Sequence, residues 1–383
     1  MNRHFFTCIA LVSGLYFFSG CVESFEPKVA VKDSNVLVVD GSINGKGVST
    51  IRLKRTVNLT QNGTAPVERR ARMFIELQSG GQYSLSETAP GTYTSAALDL
   101  STSQAVRLHF TLADGREYTS VYTPIKATPL IDSVSWQPTS QGLQIYVNAH
   151  DETSQSRYYR WTYDETWEFT SAYQSFLEYK NGRVVDRTEN AYNCWGNEAP
   201  TAIQVGTTTR LSEDIVSQQP LTLLPSNSVK LRYKYSILVR QYALSAEEYS
   251  YWEALRKNTE NIGTLFDPLP TQLTGNVHNV ADASEPVIGF VGAQSVSEKR
   301  IFITHSQLPR EWRSVTGYES CKIDTIPRPL APPPTPAEIL GFFQRGEVVP
   351  IVQDKQTGDY YVSTPDCVDC RRRGTNVRPS FWQ

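Results

Sequence analysis

The stretch Val36-Leu37-Val38-Val39-Asp40-Gly41-Ser42-Ile43-Asn44-Gly45 sets the reading of the chain. Its aliphatic opening is a strand that runs toward a turn at Asp40-Gly41, and Asn44-Gly45 is a strong short-range hairpin signal. Thr50 to Val57 then alternates, with Ile51 and Leu53 on one face and Arg52 and Lys54 on the other. Asn62-Gly63 marks the next turn. Met73–Leu77, Ala105–Leu112 and Arg116–Tyr122 read as further strands, the last two closed into a hairpin by Asp114-Gly115. Short strands at this spacing predict a β-sandwich over residues 35–125.

Pro124 and Pro129 bracket the expected junction, and residues 126–383 form a second β-rich unit. Ile131–Trp136, Leu143–Ala149, Leu231–Tyr242, Val287–Ala293 and Lys299–Thr304 have strand character. Ser245 followed by Glu248 is a capping box that opens a helix to about Lys257, with Tyr249, Trp252 and Leu255 as its expected buried face. Six prolines at 327, 329, 332, 333, 334 and 336 predict an extended crossover. Thr335-Pro336-Ala337-Glu338 is a second capping box, opening a short helix to about Phe343. A hairpin of Val348–Gln353 and Asp359–Ser363 precedes the last cysteines. The expected class is mainly β: two β-sandwich-like domains, the second with one or two short helices and a proline-rich crossover.

The N-terminus has the form of a secretory signal over residues 1–20. Arg3 and His4 are basic, Phe5 to Phe18 is apolar, and Ser19-Gly20 supplies small residues before Cys21. The apolar run is too short for a hydrocarbon core of about 30 Å. Phe18-Ser19-Gly20-Cys21 resembles the lipobox of bacterial lipoproteins, with Phe18 where leucine is usual. That resemblance implies a lipid on Cys21 and a polar tether over residues 21–34. Val22 stands where many inner-membrane lipoproteins carry a retention aspartate, which points to the outer membrane. Acyl chains contribute about 0.8 kcal/mol per buried CH₂, so several of them anchor firmly.

Charge excludes some partners. The chain carries 37 Lys and Arg against 39 Asp and Glu in 383 residues, without a long run of either sign. Nothing in that balance asks for nucleic acid or an anionic membrane. Of six cysteines, Cys8 leaves with the signal and Cys21 is the lipidation candidate. Cys194, Cys321, Cys367 and Cys370 remain, an even number that reads as two disulfides with three possible connectivities. Bridges from Cys194 and Cys321 to one member each of the Cys367/Cys370 pair are expected. Such bridges close long loops, whereas a bond inside Cys-x-x-Cys closes a small and often strained ring.

Chemistry is sparse in the motifs. Cys367-Val368-Asp369-Cys370 is followed by Arg371, Arg372 and Arg373, which could depress a thiol pKa. A redox motif of this kind usually sits at a helix N-terminus after a strand, and a zinc ribbon needs a second cysteine pair; structural bridging is the plainer reading. Tyr159, Trp161 and Tyr163 share one face of a strand by period-two geometry, with Trp167 farther along. They read either as a core between two sheets or as a stacking platform for a flat ligand. His109, His150, His278 and His305 fall in no catalytic pattern, and no cofactor or metal is expected.

Several stretches together resemble a lipoprotein family catalogued as domain of unknown function 4249, from Gram-negative bacteria of the Bacteroidetes type. They are Cys21-Val22-Glu23, Leu37 to Ile43, Tyr158 to Phe169, Asn193-Cys194-Trp195, Phe266-Asp267-Pro268, Gly275-Asn276-Val277 and Lys299 to Phe302. The tail adds Cys367 to Arg371, Gly374-Thr375-Asn376 and Pro379 to Trp382. The family has no assigned activity, and its genes tend to lie beside those for TonB-dependent outer-membrane receptors. The resemblance therefore implies a non-enzymatic accessory or ligand-binding partner of such a transporter. A thiol oxidoreductase or unrecognised hydrolase at the cell surface, and a structural or adhesive surface module, are the alternatives.

Overall fold

The computed structural model describes residues 35–57, 64–260, 275–326 and 335–383. The signal, Cys21, the tether, the Asn62-Gly63 turn, Phe266-Asp267-Pro268 and all but the end of the proline-rich crossover lie outside these residues. Among the described residues no helix is long and apolar enough to cross a membrane.

The opening stretch pairs as its alternation demands. Leu37–Asn44 and Val48–Arg55 form an antiparallel hairpin in which Leu37, Val39, Ile43, Ile51 and Leu53 are buried. The turn lies at Gly45-Lys46-Gly47; the strand does not turn at Asp40-Gly41 but continues through it. Gly41 is needed there for a different reason. Its φ is +136°, and a Cβ would stand 2.2 Å from the Thr50 carbonyl oxygen. The hairpin of Gln82–Ala89 and Thr92–Ala97, too polar to show clear alternation, completes the middle of the sheet.

This sheet has eleven strands, and it is not built from residues 35–125 alone. Val277–Asn279 adds to Glu117–Ser120 at one end, while Val287–Ile288 and Ala293–Gln294 pair in parallel with Leu37–Asn44 at the other. The expected division after residue 125 therefore needs correction, because the chain returns to finish the first core. Val277, Val287, Val291 and Ala293 pack into it. Asn276 N–H donates to Gly289 O at 3.3 Å, so the two ends of the sheet nearly meet and the sheet approaches a barrel.

The second unit is a sandwich. Ile131–Pro138, Gly142–His150 and Ile215–Pro225 form one sheet; Asn193–Glu198, Tyr158–Thr170, Lys234–Ala243 and Val296–Thr304 form the other, with Gln204–Thr207 also on Tyr158–Thr170. Leu143, Ile145 and Val147 face Tyr159, Trp161, Tyr235, Ile237 and Val239 in the shared core. A third, smaller core of Ile326, Phe343 and Val362 joins the Pro336–Gln344 helix to the sheet of Asp324–Ile326, Tyr360–Ser363 and Val349–Gln353. Thr335 and Glu338 cap that helix reciprocally. The mainly β class is what the chain adopts.

The tail is pinned twice. Cys194 bonds Cys370 and Cys321 bonds Cys367, so each bridge takes one member of the Cys-x-x-Cys pair. Arg371 pairs with Asp369 at 2.7 Å and Glu189 at 2.8 Å, and Arg372 pairs with Asp366. Arg371 and Arg372 thus answer carboxylates, Arg373 donates to the Gly317 carbonyl, and Cys367 and Cys370 are not bonded to each other.

Candidate functional site

The Tyr158–Thr170 strand separates two environments. On its inward face Tyr159 and Trp161 are 0% and 1% exposed, and Tyr163 is buried beside them. Tyr159 donates to Asp214 at 2.8 Å; Trp161 Nε1 donates to Gln241 Oε1 at 2.8 Å, and Gln241 in turn donates to the Pro129 carbonyl at 2.9 Å. These rings close the sandwich core, with the polar tips of Tyr159 and Trp161 satisfied, so the stacking-platform reading is corrected: Tyr159, Trp161 and Tyr163 are packed between the two sheets. Large rings pointing at a facing sheet are buried by it. Trp167 is half-buried. It lies against Gly196, where a Cβ would come within 2.5 Å of the indole, and Lys230 Nζ stands 5.0 Å from its ring centre. Lys230 also bridges Glu165 at 2.6 Å and Glu198 at 2.7 Å, while Tyr235 donates to Glu165 at 2.7 Å.

The opposite face of the same strand carries Arg160, Thr162 and Asp164 into a polar cleft of about 950 Å³. Arg240, Tyr242 and Glu298 extend that wall from neighbouring strands, and Asp40, Ser42, Asn44, Thr50 and Arg52 face them from the near-barrel. Most of these charges are matched. Arg240 holds Asp164 and Glu298, each at 2.7 Å; burial works against its charge, but the two carboxylates raise its pKa. Arg52 and Asp40 approach to 3.8 Å.

Arg160 differs. Its guanidinium lies over the Trp252 ring at 3.7 Å, with the Tyr242 ring at 5.7 Å, and burial lowers its pKa. Among the described residues it makes neither a hydrogen bond nor an ion pair. Glu248, 3% exposed, lies behind this stack and accepts a long hydrogen bond of 3.4 Å from Trp252 Nε1. Burial pushes its carboxyl up to about 7 against the opposing pull of Arg160.

The Ala246–Glu260 helix positions this group as a wedge between sandwich and near-barrel. Ser245 caps it by accepting from the Glu248 N–H at 3.1 Å. Its buried face is centred on Glu248 and Tyr251, with Tyr249, Trp252 and Leu255 only half-buried, so the expected face is rotated. Tyr251 packs on Phe290 at 5.7 Å between ring centres. Gly292 admits the Glu248 carboxyl, since a Cβ there would lie 2.2 Å from Oε2. Sequence reasoning missed Arg160 and Glu248, although Arg160 lies between the two rings it did single out.

The histidines are scattered. His109 sits between Glu76 at 2.6 Å and Glu117 at 2.5 Å on the first sheet, His150 pairs with Asp132 at 2.8 Å, and His305 meets the Leu231 carbonyl at 3.1 Å. No group of three or more metal-ligating side chains is found among the described residues.

A family model described as Domain of unknown function (DUF4249) matches residues 22–300. The chain belongs to this family. The DUF4249 match takes in both walls of the cleft and the wedge helix, and ends before the disulfide-pinned tail and before Ile326, Phe343 and Val362 of the third core. No curated protein matches the chain. Among solved structures, a cycloalternan-degrading enzyme from Trueperella pyogenes shares 13% identity over 54% of this chain, with a TM-score of 0.15. The chain spans 26% of that enzyme's length, and the likeness is too low to bear on fold or activity.

Proposed function

We propose that this chain is an outer-membrane lipoprotein, anchored through Cys21, that serves a TonB-dependent transporter as a ligand-binding accessory. The observation that carries the binding role is the polar cleft of about 950 Å³ between near-barrel and sandwich, a volume within the range of small-molecule sites. The signal-like residues 1–20, the Cys21 motif and two disulfides support an extracytoplasmic setting. The accessory role draws on the family resemblance.

The test is affinity capture of the native lipoprotein from detergent-solubilised outer membranes, with partners identified by mass. A TonB-dependent receptor should co-purify with the wild type, and Cys21→Ser should lose both acylation and membrane pelleting. Recovery of the acylated protein without any such receptor would refute the accessory role. A Cys21→Ser variant that is still acylated and pelleted would refute the anchor.

A further inference from the structure

We propose that Arg160 is the anion-recognition point of the cleft, and that the cleft takes a polar ligand through a single carboxylate group. The inference deepens the reading of the cleft as a binding site and rests on it. A guanidinium presents five N–H donors in a rigid planar fork. In Arg160 the guanidinium carbon lies over the Trp252 ring at 3.7 Å, so the N–H groups turned away from the indole are the part that can donate. The side chain is half-buried, lines the cleft, and has no protein acceptor among the described residues. Other basic groups of the cleft are already answered: Arg240 by Asp164 and Glu298, Lys46 by Asp99 at 2.6 Å, and Arg52 more loosely by Asp40. Stacking on an indole holds the fork in place before a ligand arrives, which reduces the ordering cost of binding.

Charge selects the ligand class. Four cationic side chains, Lys46, Arg52, Arg160 and Arg240, line the cleft with three carboxylates, Asp40, Asp164 and Glu298. With Asp99 holding Lys46 the charges of the cleft balance, and Arg160 is its one cation without a protein acceptor among the described residues, which matches a single, singly charged group. A phosphate dianion would meet those carboxylates without a second free cation to offset them. A carboxylate also matches the planar, two-pronged geometry of the arginine edge. Ser42, Thr50 and Thr162 supply hydroxyls on the surrounding walls, so the remainder of the ligand is expected to carry hydroxyl or amide groups.

The test uses the full lipidated chain in non-ionic detergent and saturation-transfer NMR of N-acetylglycine, whose methyl signal reports binding. N-acetylglycinamide, of the same shape but neutral, is the control, and inorganic phosphate is the competitor. The wild type should bind N-acetylglycine and not its amide. Arg160→Gln should weaken binding about tenfold to a hundredfold, the loss expected for a charged hydrogen-bond partner. Arg160→Lys, read alongside should the glutamine variant misfold, keeps the charge but loses the fork and should also bind more weakly. No binding by the wild type, equal binding of the amide, unchanged affinity in folded Arg160→Gln or in Arg160→Lys, or displacement by phosphate below the probe's own concentration would each overturn the proposal. Receptor capture does not depend on this assay, so its success beside failure here would remove only the carboxylate assignment.

Discussion

Glu248→Gln isolates the energetic cost of the buried carboxyl at the wedge. The carboxyl moves from an ordinary 4.5 to about 7 on folding, because burial outweighs the attraction of Arg160 and Lys126 and the Trp252 hydrogen bond. At 1.36 kcal/mol per pKa unit, that shift corresponds to about 3 kcal/mol. The folded state binds the proton more tightly than the unfolded chain. Its contribution is therefore fully present below pH 4.5 and is lost as the pH rises through about 7. Glutamine keeps the shape, can still accept from Trp252, and does not titrate. Urea unfolding of both proteins at pH 5 and pH 8.5 cancels the groups they share. Relative to wild type, the variant should gain about 2.5 kcal/mol between the two pH values, most of it between pH 5 and pH 7. A stability difference that stays flat with pH, or that moves against the variant at high pH, would refute the reasoning.

The disulfides carry unequal loops. In the chain-entropy model a separation of 176 residues corresponds to about 5 kcal/mol and one of 46 to about 4 kcal/mol, so Cys370→Ser should lower the urea midpoint somewhat more than Cys367→Ser. Unchanged midpoints would rule out that bracing. Trp161→Ala should cost about 3–5 kcal/mol in thermal unfolding, and half-buried Trp167→Ala less; a Trp161 variant that melts like wild type would contradict its burial. Gly196→Ala should destabilise by about 1–3 kcal/mol because its new methyl meets the Trp167 ring. The cost should shrink in a Trp167→Leu background, and an equal cost in both would place the strain elsewhere.

Local rules made much of the fold legible. Asn44-Gly45 with the alternation of Ile51 and Leu53 leads to one hairpin in one register, because a slip of one residue would expose every buried side chain. Ser245 and Thr335 announced their helices, since a helix start needs a side-chain acceptor wherever it occurs. The alternation of Tyr158 to Phe169 also showed that the strand has two unlike faces. It did not show what covers each of them.

Those coverings were decided by distant segments. The return of Val277–Asn279, Val287–Ile288 and Ala293–Gln294 to the first sheet depends on non-local pairing for which short strands carry no local mark. The same return sets Gly292 against Glu248 and faces Asp40 and Arg52 toward Arg160 and Arg240 across the cleft. By itself the sequence determined that Tyr159, Trp161 and Tyr163 would lie on one face and Arg160, Thr162 and Asp164 on the other. Only the tertiary structure decided that the rings would be sealed in a core and the charges would line a site. A side chain's environment depends on which surface packs against it, and periodicity along one strand contains no information about that partner.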